Sequence, residues 1–182
     1  MVVILLAGMP GAGKEEFLKI AKEKEYKVVR MGDVVRKQAE MADISKEDIS
    51  IGEFANRERK EHHDGIWADR TLSRVSYKDT VIDGIRSADE VNIFRSELEK
   101  DAPIVAIHSS PKTRFERLKD RRREDAPHTR KEFHKRDSRE LDWGLGRIIA
   151  RADRMIVNEG TLTEFQNKTE KVLEKIEANN QS

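Results

Sequence analysis

The sequence predicts a single α/β domain built around a parallel β-sheet. Short apolar runs typical of buried strands alternate with longer polar stretches of helical composition along the 182 residues. The first apolar run, at 4–7, passes through a glycine-rich turn directly into a helical stretch, and a second strand candidate follows at 27–30. A strand, a helix and a second parallel strand form a βαβ unit, which is the building block of open α/β folds.

The rest of the chain continues this alternation. Further strands are expected within the runs 80–86, 103–108 and 154–157, and helices at 14–25, at 89–100 and from Thr161 onward, where that residue caps the last helix. The run 80–86 suits a central strand that is covered on both faces. Segment 45–74 is polar and helical, which predicts an inserted helical subdomain. We find no internal repeat or linker, so we expect one domain over 1–182.

The glycine-rich turn after the first strand predicts a phosphate site. Gly8, Gly13 and Lys14 match the pattern G-x-x-x-x-G-K, and Gly11 adds a third glycine inside the loop. Glycines let backbone N–H groups converge on phosphate oxygens, the helix N-terminus adds positive charge, and the lysine supplies a mobile cation. An ordinary strand-to-helix turn is the alternative. The candidate binding residues are Gly8, Met9, Pro10, Gly11, Ala12, Gly13, Lys14 and Glu15.

Glu15 departs from the full pattern, which ends in a Ser or Thr whose hydroxyl binds Mg²⁺. A carboxylate about 6 Å from a phosphate charge costs on the order of 3 kcal/mol at an effective dielectric near 20, unless a cation lies between them. Two interpretations follow. Either Glu15 binds the metal, directly or through water, or it points away and only favours the helix N-terminus.

Two acidic residues with nearby arginines follow strands of the predicted sheet. Asp33 and Arg36 lie one turn apart on one helix face. One interpretation is that the pair binds a ligand at the carboxyl edge of the sheet, and the other is that Asp33 caps the helix. Asp83 and Arg86 follow the central strand. Asp83 can order the magnesium shell beside the phosphate loop, and Arg86 can neutralise an acceptor phosphate. The pair Asp-Gly is also an ordinary turn signal.

The chain becomes strongly basic after Pro111, and the arginines there include Arg121 and Arg136. This segment lies between the fourth and fifth strands. An arginine-rich insertion at that point predicts a lid that closes over a triphosphate and brings its arginines to the phosphates. The interleaved acidic residues are also compatible with a solvated pair of helices, so we expect some of the arginines to pair on that surface and two to four to meet phosphate.

Composition excludes several classes of function. The 36 Lys+Arg nearly balance the 35 Asp+Glu, which argues against a dedicated nucleic-acid or membrane surface, and no aromatic platform accompanies the basic segment. Cysteine is absent, so disulfides and thiolate chemistry are excluded. The adjacent His62 and His63 lack the i, i+4 spacing of a helical metal pair. The run 1–6 lacks a basic leader and is too short to span a bilayer, so we expect a cytoplasmic protein.

These motifs together resemble those of the phosphate-loop nucleotide kinases, in particular the archaeal adenylate-kinase-related proteins that are also similar to dephospho-coenzyme A kinase. The loop 8–14 looks like their nucleotide loop. Residues 32–36 are similar to the G-D-x-x-R of adenylate kinases, whose arginine holds the acceptor phosphate. Residues 83–86 look like a shortened D-G-x-P-R, and 123–125 with Arg136 resembles the lid arginines.

A further stretch, Ala152-Asp153 with Ile156 and Asn158, looks like the A-D-x-x-I-x-N sequence near the adenine in dephospho-coenzyme A kinases. The resemblance implies a three-layer phosphate-loop kinase fold with a five-stranded parallel sheet in the order 2-3-1-4-5. It also implies a helical acceptor-binding insertion at about 33–77 and a lid at about 112–140. Asn158 would then lie on the adenine side of bound ATP.

The function implied by the resemblance is transfer of the ATP γ-phosphoryl group, with Mg²⁺, to a small nucleotide acceptor. Lys14 would hold the phosphates, Asp83 and Glu15 would order the metal, and Arg121 and Arg136 would stabilise the transferring group. An AMP-like acceptor needs no general base and would be held by Arg36 and Arg86, and Asp33 would then have a structural role in the acceptor site.

Two alternatives stay open. If the acceptor is a hydroxyl, as in dephospho-coenzyme A, Asp33 is the expected proton acceptor. Glu15 instead favours a nucleotide-binding regulator or slow ATPase that has no phosphoryl acceptor. The altered spacing between Asp83 and Arg86 bears on the identity of the acceptor, because it shortens the motif by one residue.

Overall fold

The computed structural model describes residues 1–44, 49–76, 78–98, 101–120, 127 and 129–180. The strands are β1 (Val3–Ala7), β2 (Lys27–Arg30), β3 (Thr80–Asp83), β4 (Ile104–His108) and β5 (Arg154–Val157). The helices are α1 (Lys14–Glu23), α2 (Met31–Met41), α3 (Ile51–Glu61), α4 (Ile66–Leu72), α5 (Ala88–Glu97), α6 (Pro111–Asp120), α7 (Arg130–Asp142), α8 (Leu145–Ala150) and α9 (Leu162–Asn179).

The five strands form one parallel sheet in the order β2-β3-β1-β4-β5, which confirms the expected topology. The central strand β1 is buried along its whole length, as its apolar sequence predicts. In the register, Asp83 at the end of β3 lies beside Leu6 of β1 and Arg30 of β2. The ends of β1, β2 and β3 are therefore level, and the segments that follow them meet at one edge of the sheet.

Side chains of β1 point alternately into two cores, because successive residues of a strand face opposite sides. Leu5 contributes to the core beneath α2, α4 and α5, which contains the fully buried Trp67 and Phe94. Ile4 contributes to the core beneath α1 and α9, which contains Phe17 and Phe165. Helices on both faces of the sheet complete the three predicted layers.

Capping residues explain where several helices begin. Thr161 is the N-cap of α9, as predicted, and its side chain and that of Glu164 form a reciprocal capping box. The capping interpretation of Asp33 is wrong. Helix α2 begins directly at Met31 with Arg30 as its N-cap, so Asp33 lies inside the first turn. The chain turns from β2 into α2 without a loop, so the helix starts three residues earlier than the position expected with Asp33 as its N-cap.

Helices α2, α3 and α4 lie between β2 and β3, where the acceptor-binding insertion is expected. Helices α6 and α7 lie between β4 and β5, where the lid is expected. We call these two groups the acceptor insertion and the lid segment, and their functional roles stay predictions. Of the helices in the described ranges, none combines the length and the apolar character needed to cross a membrane.

Candidate phosphate-binding site

A cavity of about 170 Å³ opens at the carboxyl edge of the sheet, next to the glycine-rich loop. Its wall brings together five predicted site residues with charged side chains, namely Lys14, Glu15, Asp83, Arg86 and Arg136, as well as most of the predicted loop residues. The other lining residues are Gly8, Pro10, Gly11, Ala12, Gly13, Gly84, Ile85, Leu118, Glu140 and Leu145. Ligands of open parallel sheets bind at this edge, so the cavity is the candidate functional site.

The loop is packed so tightly that glycine is required at two of its positions. A Cβ at Gly8 would lie 2.8 Å from the carbonyl oxygen of Ile107. Gly13 has a φ of 113°, and a Cβ there would lie 2.3 Å from Nδ2 of Asn158. The ammonium of Lys14 reaches back over the loop and donates to the carbonyl oxygen of Gly8 across 2.8 Å. The ammonium of Lys14 is thus held beside the loop, where it could contact a bound phosphate.

Asp83 presents a carboxylate oxygen that lacks a partner. Its Oδ1 is buried, and no group in the described residues donates a hydrogen bond to it. Burial raises the pKa of Asp83, and the nearby charges of Lys14, Arg86 and Arg30 only partly oppose that shift. A buried oxygen without a donor is costly unless a cation or a hydrogen-bonding water completes its surroundings. Asp83 therefore fits the role of ordering a hydrated Mg²⁺ beside the phosphate loop.

Glu15 is held by a cation from its own chain. Nη2 of Arg30, at the end of β2, donates to Oε2 of Glu15 across 2.7 Å. The glutamate side chain is 43% exposed and the arginine side chain 31%, so solvent screens the pair in part. Arg30 neutralises the carboxylate that stands where the pattern has a hydroxyl. This lowers the electrostatic cost of placing a phosphate in the loop.

Arg86 is paired with a glutamate that sequence analysis did not single out. Nε of Arg86 donates to Oε2 of Glu140 across 2.8 Å, and Nη1 donates to the carbonyl oxygen of Gly84 across 3.0 Å. Glu140 is only 5% exposed. Burial alone raises the pKa of Glu140, but the charge and hydrogen bond of Arg86 outweigh that effect and lower it. The cavity therefore holds an ionised carboxylate that fixes one of its arginines.

Asn158 lies directly behind the loop. Its Nδ2 donates to the carbonyl oxygen of Ala12 across 2.9 Å, and its Oδ1 accepts from Nη2 of Arg117 at 3.4 Å. A second cleft, of about 290 Å³, adjoins this residue and is lined by Gly13, Glu15, Glu16, Arg117, Asn158, Gly160, Leu162 and Phe165. Asn158 thus has a structural role in the loop. Its predicted place on the adenine side stays a prediction.

Arg114 supports the loop from α6. It donates to Asp137 of α7 through both terminal nitrogens, at 2.8 Å and 2.5 Å, and Nη1 also donates to the carbonyl oxygen of Pro10 at 3.2 Å. Arg114 is 3% exposed. One arginine of the basic segment is therefore committed to contacts within the protein that support the loop.

The predicted residues Asp33 and Arg36 do not line this cavity. Asp33 and Arg36 pair with each other on the surface of α2, with side chains 50% and 54% exposed, outside the cavity. Arg121, together with the lid motif at 123–125, lies outside the described residues. Glu140 and Arg30 are the site residues that sequence reasoning missed. The available signal was weak, because each is an ordinary charged residue until the fold brings it to its partner.

Comparison with known proteins agrees with this architecture. Residues 7–134 match the family model AAA_17, an AAA domain. Because the match spans more than half of the 182 residues, the chain belongs to this family of phosphate-loop, kinase-like domains.

The relatives of the chain include archaeal proteins named UPF0200, in agreement with the predicted resemblance to archaeal proteins. It is 44% identical to the UPF0200 protein Ta0179 of Thermoplasma acidophilum, over 94% of both proteins. It is 46% identical to the UPF0200 protein MK0400 of Methanopyrus kandleri, over 96% of this chain and 90% of that protein.

Two solved structures share the fold. TT1252 from Thermus thermophilus has a TM-score of 0.60 and 17% identity, covering 96% of this chain and 97% of its own. Shikimate kinase from Acinetobacter baumannii, in complex with shikimate, also has a TM-score of 0.60, with 16% identity and coverage of 98% and 94%. These likenesses confirm the phosphate-loop kinase fold.

Proposed function

We propose that this protein transfers the γ-phosphoryl group of ATP to an AMP-like nucleotide acceptor. The observation that carries the proposal is the convergence of Lys14 and Asp83 on one cavity beside the glycine-rich loop, where Oδ1 of Asp83 has no hydrogen-bond partner among the described residues. A phosphate cradle with only a lysine would suit many anions. A phosphate cradle that holds both a lysine and a buried carboxylate suits a nucleotide phosphate that arrives with a divalent cation.

The residues of the chain have distinct roles in this proposal. The loop amides and Lys14 bind the outer phosphates of ATP, and Lys14 exchanges its bond to Gly8 for a phosphate oxygen. Asp83 orders Mg²⁺ through its free oxygen, and the metal, when bound, neutralises charge that develops on the transferring group. Glu15 contributes to the metal shell only after it leaves Arg30, so we assign it a secondary part.

Positive charge on the acceptor side favours an anionic acceptor. Arg86 and Arg136 line the cavity together with the loop residues. Glu140 and Gly84 occupy Nε and Nη1 of Arg86, whereas its Nη2 has no hydrogen-bond partner in the described part of the chain. That edge can receive a phosphate oxygen. An acceptor phosphate needs no general base, which is compatible with the position of Asp33 outside the cavity.

Glu15 gives specific support to a second candidate, a nucleotide-binding regulator or slow ATPase. Its carboxylate replaces the hydroxyl that usually binds Mg²⁺, and its bond to Arg30 holds it in another interaction. In such a protein ATP would bind and be hydrolysed slowly without a phosphoryl acceptor. A hydroxyl acceptor of the dephospho-coenzyme A type would require Asp33 to reach the cavity after a movement of the acceptor insertion.

Separation of nucleotide products tests these possibilities in one experiment. The pure protein is incubated with Mg·ATP alone, with added AMP, and with added dephospho-coenzyme A, beside the Lys14→Ala variant. We expect ADP formation that depends on AMP and on Lys14. Coenzyme A formation would instead establish the hydroxyl acceptor. Release of phosphate at the same rate with every addition would establish the slow ATPase.

A further inference from the structure

The indole ring of Trp143 lies at the junction of the acceptor insertion, the lid segment and the phosphate cavity. Trp143 caps the end of α7. The Cζ atoms of Arg59, Arg139 and Arg86 lie 4.7, 5.5 and 5.5 Å from the centroid of its rings. Its Nε1 donates to Oδ1 of Asn56 across 3.1 Å. One aromatic side chain therefore contacts α3, α7 and the loop after β3.

Two of these arginines join α3 to α7. Arg59, on α3, is 6% exposed and pairs with Glu90 at 3.0 Å, but its Nε and Nη1 have no hydrogen-bond partner within the described ranges. The π face of Trp143 is the electron-rich surface next to that guanidinium. Arg139, on α7, packs so closely on Gly52 of α3 that a Cβ there would lie 2.8 Å from its Cζ. The ring thus contributes to the contact between the two helices, beside the direct packing of Arg139 on Gly52.

The third arginine, Arg86, belongs to the phosphate cavity. Its guanidinium is fixed on three sides, by Oε2 of Glu140, by the carbonyl oxygen of Gly84 and by the ring of Trp143. A flexible arginine loses rotamer freedom when it binds an anion, and an arginine that is already held loses less. These contacts leave Nη2 as the donor edge for a phosphate oxygen.

We propose that Trp143 is a positioning residue that holds Arg86 ready for the phosphate group of the acceptor. The inference rests on the proposed function, because it assigns Arg86 to the acceptor side of the cavity. It extends that function because it connects Arg86 in the cavity to helices α3 and α7 through Trp143. The same ring that orients Arg86 also holds α3 against α7, so acceptor affinity depends on the contact between the acceptor insertion and the lid segment.

Two substitutions of Trp143 test the ring itself. Trp143→Leu removes the aromatic face, whereas Trp143→Phe keeps a face and removes only the N–H that reaches Asn56. We expect Trp143→Leu to weaken AMP binding about tenfold or more while ATP affinity changes less than about threefold, because Lys14 and the loop do not contact the ring. We expect Trp143→Phe to restore most of the AMP affinity.

Calorimetric titrations with ATP, AMP and inorganic phosphate give these affinities without turnover. Equal losses for ATP and AMP in Trp143→Leu would overturn the proposal, and so would unchanged AMP affinity or a Phe variant as weak as the Leu variant. Trp67→Phe is the matched control, because Trp67 is fully buried in the core and should affect thermal stability rather than the ratio of the two affinities.

Tryptophan fluorescence of the unaltered protein provides a test that does not depend on the folding of the Leu variant. Saturating AMP should change the emission of the wild-type protein, because Arg86 lies over the Trp143 ring. The change should be absent in Trp143→Phe, which retains only Trp67. Unchanged wild-type emission would overturn the proposal. If AMP is not phosphorylated but phosphate affinity still depends on the ring, only the acceptor assignment fails.

Discussion

Arg30 donates from Nη2 to Oε2 of Glu15 across 2.7 Å and so joins the end of β2 to the first turn of α1. Glu15 stands at the position where the phosphate-loop pattern has a hydroxyl. Its negative charge would oppose a triphosphate, but the guanidinium of Arg30 is already in contact with it. A phosphate that binds in the loop therefore does not meet an unpaired carboxylate charge at Glu15.

Replacing Glu15 with serine should leave phosphoryl transfer unchanged or raise it. The substitution removes a negative charge from the phosphate site and supplies the hydroxyl that commonly binds Mg²⁺. Because the pair with Arg30 is partly exposed, we expect the free energy of unfolding to change by no more than about 1 kcal/mol. Steady-state rates at a series of Mg²⁺ concentrations check this, with Glu23→Ser on the same helix as the control. Complete loss of transfer would show that Glu15 is a required metal ligand.

Replacing Lys14 with alanine should abolish productive use of ATP. The lysine is the cation of the loop, and its described hydrogen bond is to Gly8 within the same loop, so the fold should persist. We expect kcat/KM to fall by about 10²-fold or more, as when a donor to a developing charge is removed. Lys19→Ala, on the exposed side of α1, is the matched control. Unchanged turnover in Lys14→Ala would rule out the phosphate-loop assignment.

Replacing Gly13 with alanine should distort the loop. The new Cβ would lie 2.3 Å from Nδ2 of Asn158, and the φ of 113° is unfavourable for alanine. We expect ATP affinity to fall at least about tenfold and stability to fall by roughly 1–3 kcal/mol. Calorimetric titration and denaturant unfolding measure the two effects. Gly32→Ala is the stability control, because a Cβ there meets no atom closer than 3.6 Å. Normal ATP binding by Gly13→Ala would contradict the described loop geometry.

Replacing Glu140 with glutamine should reveal a pH-dependent contribution to stability. Because the pKa of Glu140 is lower in the folded protein than its ordinary value of 4.5, its ionised form stabilises the fold above that pH. This contribution is lost as the pH falls through the lowered folded value. Removing the charge leaves Arg86 without its buried counter-charge, at a cost on the order of 3 kcal/mol at neutral pH.

Urea unfolding of the wild type and of Glu140→Gln between about pH 7 and about pH 3 measures how the free energy of unfolding of each protein depends on pH. The difference between the two free energies of unfolding should be largest near neutral pH and should become smaller in acid. Glu61→Gln, an exposed change on α3, should show little difference at any pH. A difference that stays constant over the whole range would mean that Glu140 is not ionised when it pairs with Arg86.

Much of the fold was predictable because its signals are local. The apolar run of β1, the glycines that follow it and the N-cap Thr161 each depend on a few neighbouring residues, and the structure has them where they were expected. The bounds of β2 and β5 also agree with the sequence prediction. The strand order came from the resemblance to nucleotide kinases rather than from residue patterns.

The interior of the site was less predictable because its contacts join distant parts of the chain. Glu140 is 54 residues from Arg86, and nothing near it in the sequence distinguishes it from other helical glutamates. Arg30 looks like the end of a strand until α1 brings Glu15 to it. Asp33 was expected at a helix start, but β2 continues directly into α2. In each case the partner is set by the tertiary fold and not by local sequence.

Transfer of the γ-phosphoryl group to AMP is tested most directly by labelling that group. The pure protein is incubated with γ-labelled ATP, Mg²⁺ and AMP, and the labelled products are separated and counted. We expect the label to appear in newly formed ADP, at a rate that rises and saturates with AMP and that Lys14→Ala abolishes. Label found only in inorganic phosphate, at a rate that AMP does not change, would contradict phosphoryl transfer as the function of this site.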